Sequence, residues 1–164
     1  GLGDVYKRQV PCNYNRLPGG GVRYVEMDWN PLYPFGYGLT YTTFAYSDLQ
    51  VEGDGISARE VEKGAQVQVS FTITNTGDCF GEETAQVYLR DMVSSTVKPM
   101  KELAGFMKVA LQPSESCQVK IAIGYRQMRT LNQKFEWHVE PGSFQVMVGD
   151  NAANVLLTGQ FIIE

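Results

Sequence analysis

One histidine, three cysteines and no long apolar run set the first limits on this chain of 164 residues. The lone His138 leaves a Ser-His-Asp triad nothing else to build on. There is no G-x-S-x-G and no phosphate-binding glycine loop. Cys12, Cys79 and Cys117 are far from C-x-x-C spacing, so no zinc knuckle or redox pair is encoded. Cys117 lies among alternating apolar residues and reads as a small core residue. Nothing favours a bridge between Cys12 and Cys79. Basic residues are also scarce: 14 Lys+Arg against 18 Asp+Glu give a net charge of −4. That balance argues against a nucleic-acid partner, whose phosphates require clustered Lys and Arg. No stretch approaches the roughly 20 apolar residues of a membrane-spanning helix. Gly53-Asp54-Gly55 is too short for a calcium loop and reads as a turn. The length suits one domain, or one domain plus a fragment of another, and a compact chain of this size can fold without disulfides or metal.

What is present is strand chemistry. Val, Ile, Thr and the aromatics supply 52 of the 164 residues, and these stiff or flat side chains fit a pleated surface. Ala65, Val67, Val69, Phe71 and Ile73 alternate without a break with Gln66, Gln68, Ser70, Thr72 and Thr74. This period of two predicts a strand with one face buried and one wet. The pattern recurs around Ala85–Leu89, Cys117–Ile123, Phe135–Val139 and Phe144–Val148. Phe44–Val51 reads as a first strand and Val155–Ile163 as a last. Turn residues separate them, among them Asn75-Thr76-Gly77-Asp78, Pro113-Ser114, Pro141-Gly142 and Gly149-Asp150-Asn151. No convincing amphipathic helix follows residue 44. The expectation is an all-β fold, an antiparallel sandwich of about seven or eight short strands over residues 44–164.

Upstream the composition changes. Residues 1–9 lack periodicity and read as an extraneous or unstructured start. Residues 10–43 hold four of the seven prolines and the run Gly19-Gly20-Gly21. In residues 31–44, with Tyr41 among the connector residues, Pro34 fixes φ, Gly36 and Gly38 suit tight turns or close backbone approach, and Leu32, Phe35, Leu39 and Phe44 offer apolar anchors. Such a segment predicts a rigid docked connector. The alternative is a sugar-stacking platform of Tyr33, Phe35, Tyr37 and Tyr41. Asp91–Glu102 is long for a sandwich hairpin, and loops of that length often carry function.

Residues 31–44 read PLYPFGYGLTYTTF, which resembles the PLYPFGYGLSYTTF segment joining the second and third domains of glycoside hydrolase family 3 enzymes. QVPCNYNR (residues 9–16) resembles the end of the preceding α/β domain in that family. VKPMKELAGFMKV (97–109) and VEPGSFQVMVG (139–149) are similar to its RPVKELKGFKKV and VEPGEFKVMIG stretches. The four matches occur in family order. The resemblance implies the C-terminal fibronectin type III-like domain of a β-glucosidase or β-xylosidase. It makes residues 10–43 the remnant of the α/β domain plus the interdomain connector. It also turns the 91–102 loop, with Lys98, Lys101 and Glu102, toward the other domains and the active-site rim.

Glycoside hydrolysis usually takes two carboxylates flanking the scissile bond. The candidates here are Asp28, Glu82, Glu83, Asp91, Glu102, Glu136 and Glu140, and none lies in an apolar context that would clearly raise its pKa. Glu136, His138 and Glu140 fall on the expected wet face of one strand, and Glu82 and Glu83 flank a turn. Asp28-Trp29 echoes the family nucleophile, but that residue belongs to a barrel domain and a longer motif absent here. No catalytic, cofactor or metal residue is assigned. The resemblance implies a secreted or periplasmic parent that is a retaining glycosidase without a metal or organic cofactor. The catalytic domains of the same polypeptide are the expected partner, and a glycan is the alternative. A free-standing adhesion domain is a third reading, which the connector motif weighs against.

Overall fold

The computed structural model describes Tyr14 and residues 31–164. The expectations for residues 1–9, Cys12, Asp28 and Trp29 lie outside the described residues. Among the described residues, seven long strands form two antiparallel sheets. Strands β1 (Phe44–Glu52), β2 (Val67–Asn75) and β5 (Ser116–Ile123) make one, in the order β1-β2-β5. Strands β3 (Gly81–Asp91), β4 (Glu102–Leu111), β8 (Gly142–Gly149) and β9 (Val155–Ile163) make the other, in the order β4-β3-β8-β9. Strands β6 (Thr130–Leu131) and β7 (Trp137–His138) form a small separate ladder. This is an all-β antiparallel sandwich of the fibronectin type III-like kind.

The alternation in the sequence explains the core. Val67, Val69, Phe71 and Ile73 of β2 are fully buried, and β5 opposes them with Val119, Ile121 and Ile123. The facing sheet contributes Ala85, Val87 and Leu89 from β3, and Phe144, Val146 and Val148 from β8. Phe144 stacks on Phe161 of β9 with ring centroids 5.3 Å apart. Odd-numbered residues therefore point inward along β2, β3 and β5, as a period of two requires.

Four expectations need correction. Phe135–Val139 is not a strand of the sandwich: only Trp137 and His138 pair, with Thr130 and Leu131. Phe135 and Trp137 are exposed rather than inward, and Phe135 sits at φ 63°, a left-handed conformation that breaks a strand. In its place β4 completes the seven. It is an edge strand with exposed Phe106 and Met107, and its register shifts at Val87/Tyr88. Two short helices also follow residue 44: α1 (Ala58–Glu62) and α2 (Tyr125–Met128). Ser57 and Glu60 form a reciprocal capping box at the start of α1, which satisfies donors that a helix of five residues would otherwise leave open.

The fourth correction concerns the outer face of β3. Gln86 and Tyr88 alternate with the core residues and read as wet, yet Gln86 is 3% exposed and Tyr88 0%. Tyr14, Phe35 and Gly36, far upstream in the chain, cover this face.

Candidate functional site

Tyr14 and Phe35 lie over the outer face of β3. Their rings stack at 4.3 Å, and Tyr14 meets the buried Tyr88 ring edge-on at 5.8 Å. The Tyr14 hydroxyl accepts the Leu103 backbone N–H of β4 (3.2 Å). The backbone around Phe35 is tied down as well. The Ala152 N–H donates to Phe35 O (2.8 Å), and Gln86 Nε2 donates to Gly36 O (3.1 Å) and Asp150 O (2.6 Å). Gly36 adopts φ 80°, and a Cβ there would lie 2.1 Å from Gln86 Oε1. Glycine is needed at this position both for its conformation and for its lack of a side chain. Gly38 differs: the space around it is open, and close approach does not explain it.

The rest of the segment faces outward. Leu32, Leu39 and Tyr41 are 86%, 88% and 101% exposed, so the expected anchors Leu32 and Leu39 are not seated on the described residues. Tyr33 and Tyr37 are also exposed. Pro34 is half-buried, and its carbonyl accepts the Tyr37 N–H (3.0 Å) in a turn. Between residues 35–41 and strands β3 and β4 runs an open groove of about 770 Å³. Phe80 and Phe106 also line it.

The carboxylates near this groove differ from expectation. Glu82 and Glu83 lie within β3, and Glu82 pairs with Lys108 (2.6 Å). Glu83 is half-buried and accepts a hydrogen bond from the Tyr46 hydroxyl (2.9 Å). Burial pushes its carboxyl above the ordinary glutamate range, the Tyr46 hydroxyl works against that, and the nearby Asp150 charge adds to it. This corrects the expectation that no candidate carboxylate is raised. The signal was unreadable locally, because Tyr46 and Asp150 come from other parts of the chain. Burial, followed by the Glu83 charge, pushes the Tyr46 phenol far up in turn.

The 91–102 loop adjoins the same face. Lys101 Nζ donates to Ala152 O and sits 5.9 Å from the Tyr88 ring centroid, and burial lowers its pKa. Lys98 is held inside the chain by Asp91 (3.0 Å) and contacts the Met128 and Arg129 carbonyls at 3.4 Å. Glu102 is exposed at the start of β4. The expected wet-face reading fails for Glu140 and His138. Glu140 accepts the Ser95 N–H (2.9 Å) and the Ser95 hydroxyl, and lies 3.2 Å from His138 Nε2. Its carboxylate therefore fastens the middle of the loop to the sandwich. Glu136, by contrast, is exposed.

Burial pushes the Glu140 carboxyl up, but the Ser95 and His138 contacts outweigh it and hold the pKa below the ordinary 4.5. A lowered folded-state pKa means the ionised form stabilises the loop fully above the unfolded value. That contribution is lost as pH falls from there through the folded value. The protection factor of the Ser95 amide, taken against intrinsic exchange at each pH, should thus be high at neutral pH and fall below about pH 4.3. Glu140→Gln should show the low protection at neutral pH. Unchanged protection at Ser95 in the variant would remove Glu140 as the fastener.

Residues 83–152 match the fibronectin type III-like domain family. A putative β-xylosidase of Formosa agariphila is 39% identical over 147 residues, covering 89% of this chain and 19% of that protein. A periplasmic β-glucosidase of Salmonella typhimurium is 38% identical over 158 residues, covering 90% of this chain and 20% of that protein. The solved structure of a β-glucosidase from Erythrobacter marinus superposes with a TM-score of 0.85 at 35% identity, covering 94% of this chain and 20% of that one. The fold is that of a fibronectin type III-like module. The chain carries a fibronectin type III-like domain and is similar to one part of longer β-glucosidases and β-xylosidases. It spans about a fifth of the length of the curated relatives it matches.

Proposed function

We propose that the chain is a non-catalytic module of a β-glycosidase and docks on the catalytic domains of the same polypeptide. The observation that carries this reading is the exposed apolar lining of one groove: Tyr37, Leu39 and Tyr41, which follow a backbone pinned to the sandwich at Phe35 and Gly36, together with Phe80 and Phe106. Exposed apolar surface gathered in this way marks an interaction surface. Interdomain contacts of about 600–1,500 Å² are ordinary for such modules. The 91–102 loop reaches the same face through Lys101, so docking would bring it against the neighbouring domain and the edge of its pocket.

The test is activity on nitrophenyl β-glucoside and β-xyloside. The purified chain alone should be inactive. Adding it to the separately expressed catalytic domains should bind and stimulate or stabilise them. Gly36→Ala should weaken that effect, because the new methyl displaces Gln86 and frees the segment that presents Tyr37 and Tyr41. Hydrolysis by the chain alone, or no binding on mixing, overturns the reading. Sugar stacking is less well supported. Tyr88 is buried, and the Tyr33 and Tyr37 rings are tilted by 43° rather than coplanar.

A further inference from the structure

The 91–102 loop has its polarity reversed. Its polar side chains are engaged with the protein. Lys98 pairs with Asp91 (3.0 Å), and both side chains are largely buried. Ser94 and Ser95 donate to the Glu140 carboxylate, and the Thr96 and Thr130 hydroxyls share a hydrogen bond (2.8 Å). The Met92 N–H donates to Ser143 O (3.0 Å), and the Val93 N–H to Asp91 Oδ1 (3.3 Å). The apolar side chains are left in solvent. Met92, Val93, Val97 and Met100 are exposed, Val93 and Val97 at 74% each. A single exposed apolar side chain is ordinary on a protein surface. Here four fall within residues 92–100, on a loop that keeps its polar groups inside. Apolar surface held out in this way gains free energy when a partner covers it.

We infer that the 91–102 loop is a preorganised docking element whose Met92, Val93, Val97 and Met100 side chains pack on an apolar surface of the remaining domains of the same polypeptide. The inference rests on the docking reading above and adds to the groove a second contact with its own chemistry. Two observations select this occupant. The chain spans about a fifth of the length of its relatives, so a polypeptide of their kind carries several times as much further surface. The loop also runs into the groove face: Lys101, near its end, donates to Ala152 O, and nearby Leu103 and Asn151 line the groove. The charges of the loop point to the same apolar contact, because Lys98 and Asp91 satisfy each other inside. The internal contacts fix the backbone before binding, so little order is lost when the apolar side chains are covered. The methionines add adaptable surface to the stiff valines.

The experiment combines oxidative footprinting with binding to the separately expressed catalytic domains. Hydrogen peroxide converts exposed methionine thioethers to sulfoxides, which mass spectrometry reads residue by residue. In the chain alone Met92 and Met100 should oxidise readily and the fully buried Met128 slowly. In the complex the Met92 and Met100 rates should fall severalfold, with Met128 as the internal reference. Substituting Val93→Ser and Val97→Ser together should weaken binding by about tenfold or more. Both positions are exposed, so the urea midpoint of this variant should match that of the unmodified chain. Unchanged oxidation of Met92 and Met100 in the complex, or full affinity of the doubly substituted chain, overturns the inference and leaves docking intact. Protection of the two methionines that grows with the concentration of the chain alone also overturns it, because a second copy is then the occupant. Failure of the docking reading looks different: the unmodified chain then does not bind the catalytic domains at all.

Discussion

Phe71→Ala is expected to lower the unfolding free energy by about 3–5 kcal/mol, a large share of the roughly 5–15 kcal/mol available to such a domain. Phe71 lies on β2, the strand that pairs with β1 on one side and β5 on the other. Its ring is fully buried and stacks on Tyr46 with centroids 6.0 Å apart. Removing it opens a cavity in the layer between the sheets. It also takes away the surface that orients Tyr46, whose hydroxyl reaches across to Glu83 on the other sheet. The loss thus combines transferred apolar area, unfilled volume and a loosened contact between sheets. Urea unfolding followed by circular dichroism would show a lower midpoint with an unchanged slope. Phe71→Leu should cost clearly less, because most of the volume remains. A midpoint unchanged in Phe71→Ala would mean that this layer does not hold the two sheets together.

The same strand shows why much of the fold is legible in the sequence. Along β2, β5 and β8 one face is buried and the other is not, so apolar and polar residues alternate and the period of two is visible. The Phe135–Val139 segment imitates that pattern with Phe135, Trp137 and Val139. There, however, the chain makes a small excursion: Arg129 lies over the Trp137 ring at 4.2 Å, and Phe135 faces solvent. Alternation over five residues cannot separate the two cases. The opposite failure occurs at β4. Gly105, Phe106 and Met107 interrupt its alternation because it is an edge strand beside a bulge, exposed on both faces at its middle. Helix α1 did carry a readable mark, the Ser57 and Glu60 spacing of a capping box, but it is too short to show a helical apolar stripe.

The candidate surface was legible in a different way. Residues 31–44 stand out by their proline, glycine and aromatic content, and the resemblance gave them a family context. Which of them touch the sandwich could not be read. Gln86 and Tyr88 carry the pattern of a wet face, and their burial depends on Tyr14, Phe35 and Gly36 arriving from elsewhere in the chain. Alternation reports the local strand and says nothing of a segment laid over it. For the same reason Glu83 looked ordinary: its neighbours Tyr46 and Asp150 are distant in sequence.

Asn75→Ala is expected to cost about 2–4 kcal/mol, because it strands several buried polar groups at once. The Asn75 side chain is fully buried at the end of β2. Its Nδ2 donates to the Cys79 (2.9 Å) and Leu111 (3.0 Å) carbonyls. Its Oδ1 accepts the Thr42 hydroxyl (2.6 Å) and the Gly77 N–H (3.1 Å). One amide therefore ties the end of the 31–43 segment, the 76–80 turn and the end of β4 to the three-stranded sheet. The surroundings leave little room to compensate, since a Cβ at Gly77 would come 2.2 Å from Thr42 Oγ1. Asn75→Asp separates the two halves of this contact. The carboxylate can still accept from Thr42 and Gly77, but it faces two carbonyl oxygens where an NH₂ stood. Its folded-state pKa should lie above the unfolded value of about 3.9, so its stability should decline as pH rises through that range. The aspartate variant should thus be closest to the unmodified chain in acid and furthest from it at neutral pH. Denaturant unfolding at the two pH values measures this directly. Because Thr42 ends the segment that presents Tyr37, Leu39 and Tyr41, the alanine variant should also bind the catalytic domains less well at temperatures where it remains folded. A folded Asn75→Ala variant with full binding would show that the segment holds its place through the Tyr14, Phe35 and Gln86 contacts alone.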